Sequence, residues 1–484
     1  MRLSRLWIPS IGAGLAGALF LYDALPGINW TIVTVIAAAA LVTYRSPDPQ
    51  LRRALAIPLG FAVFLSGAFA ITDNSALHVL NLLIVASLLA LSLLIGREAD
   101  HAWSYGAVDI LTAPLRGLAC TLQGAFSSVV QAVQSTRIAT IHPVLRGSLV
   151  ALPVVVLLAL LFASADPVFA SGRDAVYNVF QTWTTSPRII FGIAFALFVA
   201  GACTASLPVP STRRRVAIPS TGPDRLTERR TMLGAVAGIC WLFVLLQIGY
   251  LFFGNPGTVG SGMTFAQYAH QGFGELAVAA TITALVIVAT HSDTYFPALA
   301  RGGARSTLTL PSLLLLAAVV CILISAFHRV ALYEDAYGFS VLRVYAQAYI
   351  VLTLAVFLIL AWRVTHEFEV RALARNVMTV SLVAFSALVY WNCDAWVVRA
   401  NLDRFAITHK LDVSYLARGL SDDGYPALVQ ALPRMTPDDR ASVVAKLNTA
   451  VSRERLTASS HWFEWNLRRD RAMDALRSVG IHPG

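Results

Sequence analysis

The residues best suited to chemistry gather in four short connectors of an otherwise apolar chain. "SADPVFASGRD" carries Asp166, Arg173 and Asp174, and "GMTFAQYAHQGFGELAV" carries Tyr268, His270 and Glu275. "FHRVALYEDAYGFSVLR" carries Arg329, Tyr333, Glu334, Asp335, Tyr337 and Arg343, and "WNCDAWVVRANLDRF" carries Asn392, Asp394, Arg399, Asn401 and Asp403. Carboxylates beside arginines could act on an anionic substrate, with Glu275 or Asp394 as acid or base and Arg329 or Arg343 as the anion clamp. They could equally form a hydrogen-bonded network at helix ends, where an exposed Arg–carboxylate pair is worth only ~0–1 kcal/mol. If the helix before Gly338 outlasts the bilayer, Arg329, Tyr333 and Tyr337 fall on one stripe at i, i+4 and i+8. Gly338 can end that helix and Ser340 can cap the next. The two tyrosines also read as part of an interfacial aromatic belt. Glu275 is the most telling single group, because a carboxylate at membrane depth is costly unless paired or wet. His270 precedes it by five residues, a spacing that shares no helix face, and no metal site or cofactor is expected. The five cysteines show no CxxC, so neither a disulfide framework nor a structural zinc site is indicated.

The elements that must position these groups follow from composition. The 484 residues are 57% hydrophobic and only 13% charged, with a mean hydropathy of +0.65, whereas soluble domains carry about 25% charged residues. Continuous apolar runs of this kind cross a ~30 Å hydrocarbon core as helices. Eleven spans are expected, at 8–24, 29–44, 54–72, 76–95, 147–164, 188–207, 232–253, 273–290, 310–327, 345–362 and 376–391. No small-x-small cleavage site follows the first run, so that span is expected to be retained. With the N-terminus in the cytoplasm, the inner segments carry 20 arginines and the outer connectors four, Arg173, Arg188, Arg329 and Arg343. That asymmetry is the positive-inside pattern. It places all four polar connectors on the outer face and accounts for the net charge of +10 without a nucleic-acid partner.

The expected fold class is an all-α, polytopic integral membrane helical bundle of about eleven transmembrane helices with a small helical C-terminal extension. Three regions are read: 1–146, four spans plus a connector; 147–401, a membrane core; and 402–484, a polar tail. The connector 96–146 reads as an interfacial helix or a short cytoplasmic helix pair, and 211–230 as a basic solvated loop. In the tail, Thr436-Pro437-Asp438-Asp439 is an N-cap followed by a first-turn proline and acids. Helices are expected over 437–450 and over 461–479, the second stopped by Gly480.

"SADPVF", "YAHQGFGEL", "HRVALYEDAYGFSVLR" and "NCDAWVVRANLDR" resemble the signature segments of a bacterial multi-pass membrane family. It is catalogued as domain of unknown function 4173, a relative of family 4153. "LDVSYLARGLSDDGYPAL" and "WFEWNLRRDRA" are similar to that family's C-terminal region. The resemblance covers roughly 147–477 and implies a bacterial inner-membrane protein with no assigned activity. The family-like positions are Asp166, Glu275, Arg329, Tyr333, Tyr337, Gly338, Arg343, Asn392, Asp394, Arg399 and Asn401. Glu334 joins them as a candidate by position. The leading functional expectation is a non-enzymatic envelope-associated binding or scaffold protein with a charged cluster and tail outside the cytoplasm. Its partners are the lipid bilayer and either an envelope protein or a lipid-linked component. A transporter or ion-coupled carrier, and a membrane enzyme acting on a lipid-linked or envelope substrate, are the alternatives.

Overall fold

The computed structural model describes residues 3–43, 49–97, 107–135, 187–205, 224–253, 273–291, 304–366, 368–454 and 461–481. Among them there is no strand. The helices are α1 (Leu3–Phe20), α2 (Ile28–Thr43), α3 (Pro49–Ser66), α4 (Ser75–Arg97), α5 (Ala107–Ser135), α6 (Pro187–Ala205), α7 (Asp224–Phe253) and α8 (Phe273–His291). They continue with α9 (Ala304–Tyr337), α10 (Val341–Thr365), α11 (Val370–Tyr390), α12 (Cys393–Thr408), α13 (Val413–Arg418), α14 (Tyr425–Ala431), α15 (Pro437–Glu454) and α16 (Leu467–Ser478).

Among the described residues, five helical segments are long and apolar enough to cross a membrane: Leu51–Ala70, Ser75–Gly96, Leu308–Tyr337, Val341–Thr365 and Val370–Tyr390. The chain is therefore a membrane protein. The apolar stretches Ser10–Phe20, Ile28–Val42, Arg188–Thr204 and Ala279–His291 are helical but shorter, at or below the ~17 residues a span needs. The run at 147–164 lies outside the described residues. All-helical architecture thus stands, and the structure supports five of the eleven expected spans by length and composition.

The chain divides into two compact units. The first comprises 1–103, 109–211 and 459–470. Within it α1 and α6 run antiparallel with their small residues in contact. A Cβ on Gly14 would lie 2.5 Å from the Gly192 carbonyl oxygen, and one on Gly17 would lie 2.5 Å from the Phe195 ring. Such close approach replaces hydrophobic driving force in lipid with backbone-to-backbone packing. Helix α5 runs unbroken through the described part of the connector, Ala107–Ser135. It packs on α4 and α6 by the same device, with Gly117 against Ala90 and Gly201 against Thr121 and Ala125. Its other side exposes Leu115, Leu118 and Leu122.

The second unit comprises 104–108, 212–458 and 471–484. Leu308, Leu315, Val319, Leu323 and Ala326 of α9 are buried with Leu233 of α7, Ile287 of α8, Phe357 and Leu360 of α10, and Leu373 of α11. Helix α9 has 34 residues, roughly 50 Å at 1.5 Å per residue, which exceeds a ~30 Å core. One end must therefore project beyond the lipid. A second apolar core joins Val344, Cys393, Val397, Val398 and Leu402 to the tail residues Leu416, Tyr425, Leu428, Val443, Leu447, Ala472, Met473 and Leu476. The tail is thus packed against α12 and the start of α10.

Helix α15 begins as its sequence indicates: Thr436 Oγ1 accepts from the Asp439 N–H at 3.2 Å, with Pro437 as the first helical residue. The helix expected over 461–479 is divided. A single 3-10 turn, Trp462–Glu464, precedes Asn466, and α16 starts at Leu467. The division has a local cause, since Asn466 Oδ1 accepts from the Arg468 and Arg469 N–H groups at 3.0 Å each and so starts α16 itself. Gly480, at φ +79°, ends the helix as expected.

Candidate functional site

The site is built on the turn between α9 and α10. Gly338 takes the left-handed conformation at φ +86°, and its N–H donates to the Glu334 carbonyl at 2.7 Å. A Cβ there would stand 2.6 Å from Asn401 Oδ1. Glycine is required both by conformation and by space. Asn401 holds the backbone of the next residue through both of its polar groups: Oδ1 accepts from the Phe339 N–H at 3.0 Å, and Nδ2 donates to the Phe339 carbonyl at 2.9 Å. One turn later, Arg404 donates to the carbonyls of Asp335 (3.2 and 3.1 Å) and Ala336 (2.8 Å). It satisfies the orphan acceptors that any helix leaves at its C-terminus, and its charge suits that end of the dipole. The Val341 N–H donates to the Tyr415 hydroxyl at 2.8 Å, and burial pushes the Tyr415 phenol above its ordinary value. Ser340 occupies the N-cap position of α10, but its hydroxyl makes no cap bond.

Three of the expected groups meet as a stack. Arg343 donates to the Gly338 carbonyl, and its guanidinium lies 4.2 Å above the Tyr333 ring, a cation–π arrangement. The Tyr333 and Tyr337 rings are 4.6 Å apart. Glu334, on the same turn of α9, is 3% exposed. Its Oε2 accepts from Gln347 Nε2 at 2.7 Å, and its Oε1 is buried without a hydrogen-bond partner.

Asn392 and Asp394 open α12. Asn392 Oδ1 accepts from the Ala395 N–H at 2.9 Å, and Nδ2 donates to the Asp423 carbonyl at 3.0 Å. Asp394, also buried, accepts from the Ser421 N–H at 2.8 Å. Both tie the start of α12 to the tail turn 421–424. Between them the Cys393 thiol is pushed up to about 12, first by burial and then by the Asp394 charge. Arg399 and Asp403 are exposed on α12, and Arg329 is half-buried two turns before the end of α9. Glu275 falls in the first turn of α8, with its side chain outside the described residues, and Asp166 lies outside them altogether. The structure therefore gathers Tyr333, Glu334, Tyr337, Arg343 and Asn401 at the turn, with Asn392 and Asp394 at the neighbouring helix start. Gln347, Arg404, Tyr415 and Ser421 belong to the same network and were not among the expected site residues, although the last three lie within the family-like segments. Among the described residues no group of three His, Cys, Asp or Glu could hold a metal ion.

The first unit fastens its own tail segment with equal density. Asn466 Nδ2 donates to the carbonyls of Phe69 (2.9 Å) and Thr72 (2.7 Å). The Arg469 guanidinium makes a two-pronged pair with Asp73, at 2.6 and 2.9 Å, and also donates to the Pro26 carbonyl at 3.0 Å. The Ile28 N–H donates to the Trp465 carbonyl at 3.1 Å. A Cβ on Gly27 would lie 2.5 Å from the Glu464 backbone. His78 and Asn81 are packing groups here, bonded to the carbonyls of Thr72 (2.6 Å) and Leu65 (2.8 Å).

A family model described as a domain of unknown function (DUF4153) matches residues 59–431. The match corrects the number read from the signature segments, which pointed to the related family 4173. No curated protein and no solved structure matches the chain.

Proposed function

The chain belongs to the family of the domain of unknown function DUF4153, and on that premise we propose that it is a polytopic protein of the bacterial inner membrane whose extracytoplasmic end is a non-enzymatic binding platform. The observation that carries this reading is the use made of the candidate polar residues. Asn401 and Arg343 are engaged in holding the turn 338–340, and Asn392 and Asp394 in holding the start of α12 to the tail turn 421–424. Groups held this way shape a rigid surface; they do not stand ready to exchange protons with a substrate. Sidedness is supported in each unit taken by itself. In the first, segment 461–470 meets the α1–α2 and α3–α4 connections; in the second, α12 and the tail meet the α9–α10 turn. The arginine distribution assigns all of these ends to the outer face.

The partner is an envelope protein or a lipid-linked component, met on the exposed side of α12. Ile407, 82% exposed, is the place to look for it. A photo-crosslinking residue at position 407 should capture one discrete partner in living cells, and Asn401→Ala, which loosens the platform, should diminish that product at equal membrane abundance. Crosslinking to none, or a product indifferent to Asn401, would overturn the reading.

One observation favours an ion-coupled carrier as the second reading. Glu334 is a buried carboxyl with an unpartnered oxygen near the end of a membrane-crossing segment, a setting that marks many ion pathways. A carrier should lose movement of some solute on Glu334→Gln while the protein remains in the membrane. Unchanged solute profiles in that variant sink this alternative.

A further inference from the structure

The first unit contains a cleft of about 300 Å³ where the ends of α1 and α6 meet the tail segment, lined among others by Leu19, Tyr22, Asp23, Arg188, Trp462 and Phe463. Its chemistry is mixed in an ordered way. Part of the lining is aromatic: Phe20 meets Trp462 and Phe463 edge-on, at ring separations of 6.2 and 5.2 Å. One cation stands at the mouth, with the Arg188 guanidinium 5.8 Å above the Tyr22 ring. An exposed carboxylate, Asp23, stands there too, on a residue held at φ +55°. The other acid, Glu464, is already engaged by His461, whose Nδ1 lies 3.4 Å from Oε1 and whose N–H donates to Oε2 at 3.3 Å.

The cleft is continuous with an exposed apolar surface. Leu19 lines it and also ends the exposed stripe Ile11, Leu15, Leu19 of α1; Arg188 lines it and is followed on α6 by the exposed Ile189, Ile190 and Ile193. An acyl chain laid along that α1–α6 surface would bring its head group to the cleft mouth. There it would meet a guanidinium, which suits a phosphate oxygen. It would also meet a carboxylate and aromatic faces, which suit an ammonium group. We propose that this cleft binds one phospholipid whose head group carries both a phosphate and a primary ammonium, a phosphoethanolamine lipid, with Arg188 on the phosphate and Asp23 on the amine. This goes beyond the platform reading: it assigns a ligand to the first unit and shares with that reading only residence in a membrane.

The test uses the full chain, purified from discs containing equal phosphatidylethanolamine and phosphatidylglycerol, with retained lipid quantified by mass spectrometry after mild detergent exchange. The unaltered protein should retain the ethanolamine lipid in preference. Asp23→Asn keeps a residue that tolerates the left-handed backbone and should abolish that preference while total retention persists. Arg188→Gln should lower retention of both lipids by about fivefold or more, as expected for loss of a charge-assisted contact. Arg53→Gln, exposed at the opposite end of α3, should change neither. Excess soluble glycerophosphoethanolamine should not displace the lipid, because the chains supply much of the binding. Equal retention of the two lipids by the unaltered protein, or an unchanged preference in Asp23→Asn, overturns the proposal. Should Arg188→Gln fail to accumulate, the Asp23→Asn comparison decides alone.

Discussion

Cys393 shows how tightly single residues are held at the α12 junction. Its thiol is pushed up to about 12 by burial and by Asp394, so the folded protein favours the neutral form more than the unfolded chain does, where the ordinary value is 9.0. The sign follows: this contribution is whole below pH 9 and is lost as pH rises toward 12. Denaturant unfolding of the purified protein should show stability falling through that alkaline window, with a shallower fall in Cys393→Ala; an identical slope in both would contradict the assignment. At this scale the sequence was partly legible. Gly338 stood out because a glycine after a helical run announces its end, and Asn401 and Asp394 stood out as polar groups in a connector of an apolar chain. Their partners did not stand out. Gln347, Arg404 and Tyr415 sit in ordinary helical positions and acquire their roles only when α9, α10, α12 and α13 come together.

Among the elements, the tail's grip on the first unit is the connection no local pattern foretells. Asp73 and Arg469 are 396 positions apart, yet both side chains are largely buried, at 12% and 5% exposure. Removing one partner of such a pair strands the other charge and costs ~3–5 kcal/mol, against ~0–1 kcal/mol for a surface pair. Arg469→Ala should therefore lower the unfolding free energy of the first unit by about 3 kcal/mol or more. A loss below about 1 kcal/mol would mean the pair behaves as a surface contact. Helix existence was legible, since apolar runs and caps gave α3, α4, α10, α11 and α15 near their observed bounds, whereas α9, Ala304–Tyr337, outruns the expected span 310–327 at both ends. The break at Asn466 was not, because the asparagine that caps α16 also bonds to Phe69 and Thr72, and those partners are remote in sequence.

At the scale of the whole molecule the account rests on sidedness. Under the proposed topology the loop arginines divide twenty inside against four outside, and each unit separately seats its tail segment on helix ends that the proposal places outside. A direct test is made in a background where Cys120 and Cys240, both part-exposed and outside the five apolar segments, are replaced by alanine. Cys393 is buried with a suppressed thiolate, and Cys321 lies within a membrane-crossing segment, out of reach of a polar reagent. The decisive measurement is modification of Ile407→Cys by a membrane-impermeant maleimide in intact spheroplasts. The account predicts labelling before lysis, at the extent seen after it; labelling that appears only once the membrane is permeabilised would contradict it.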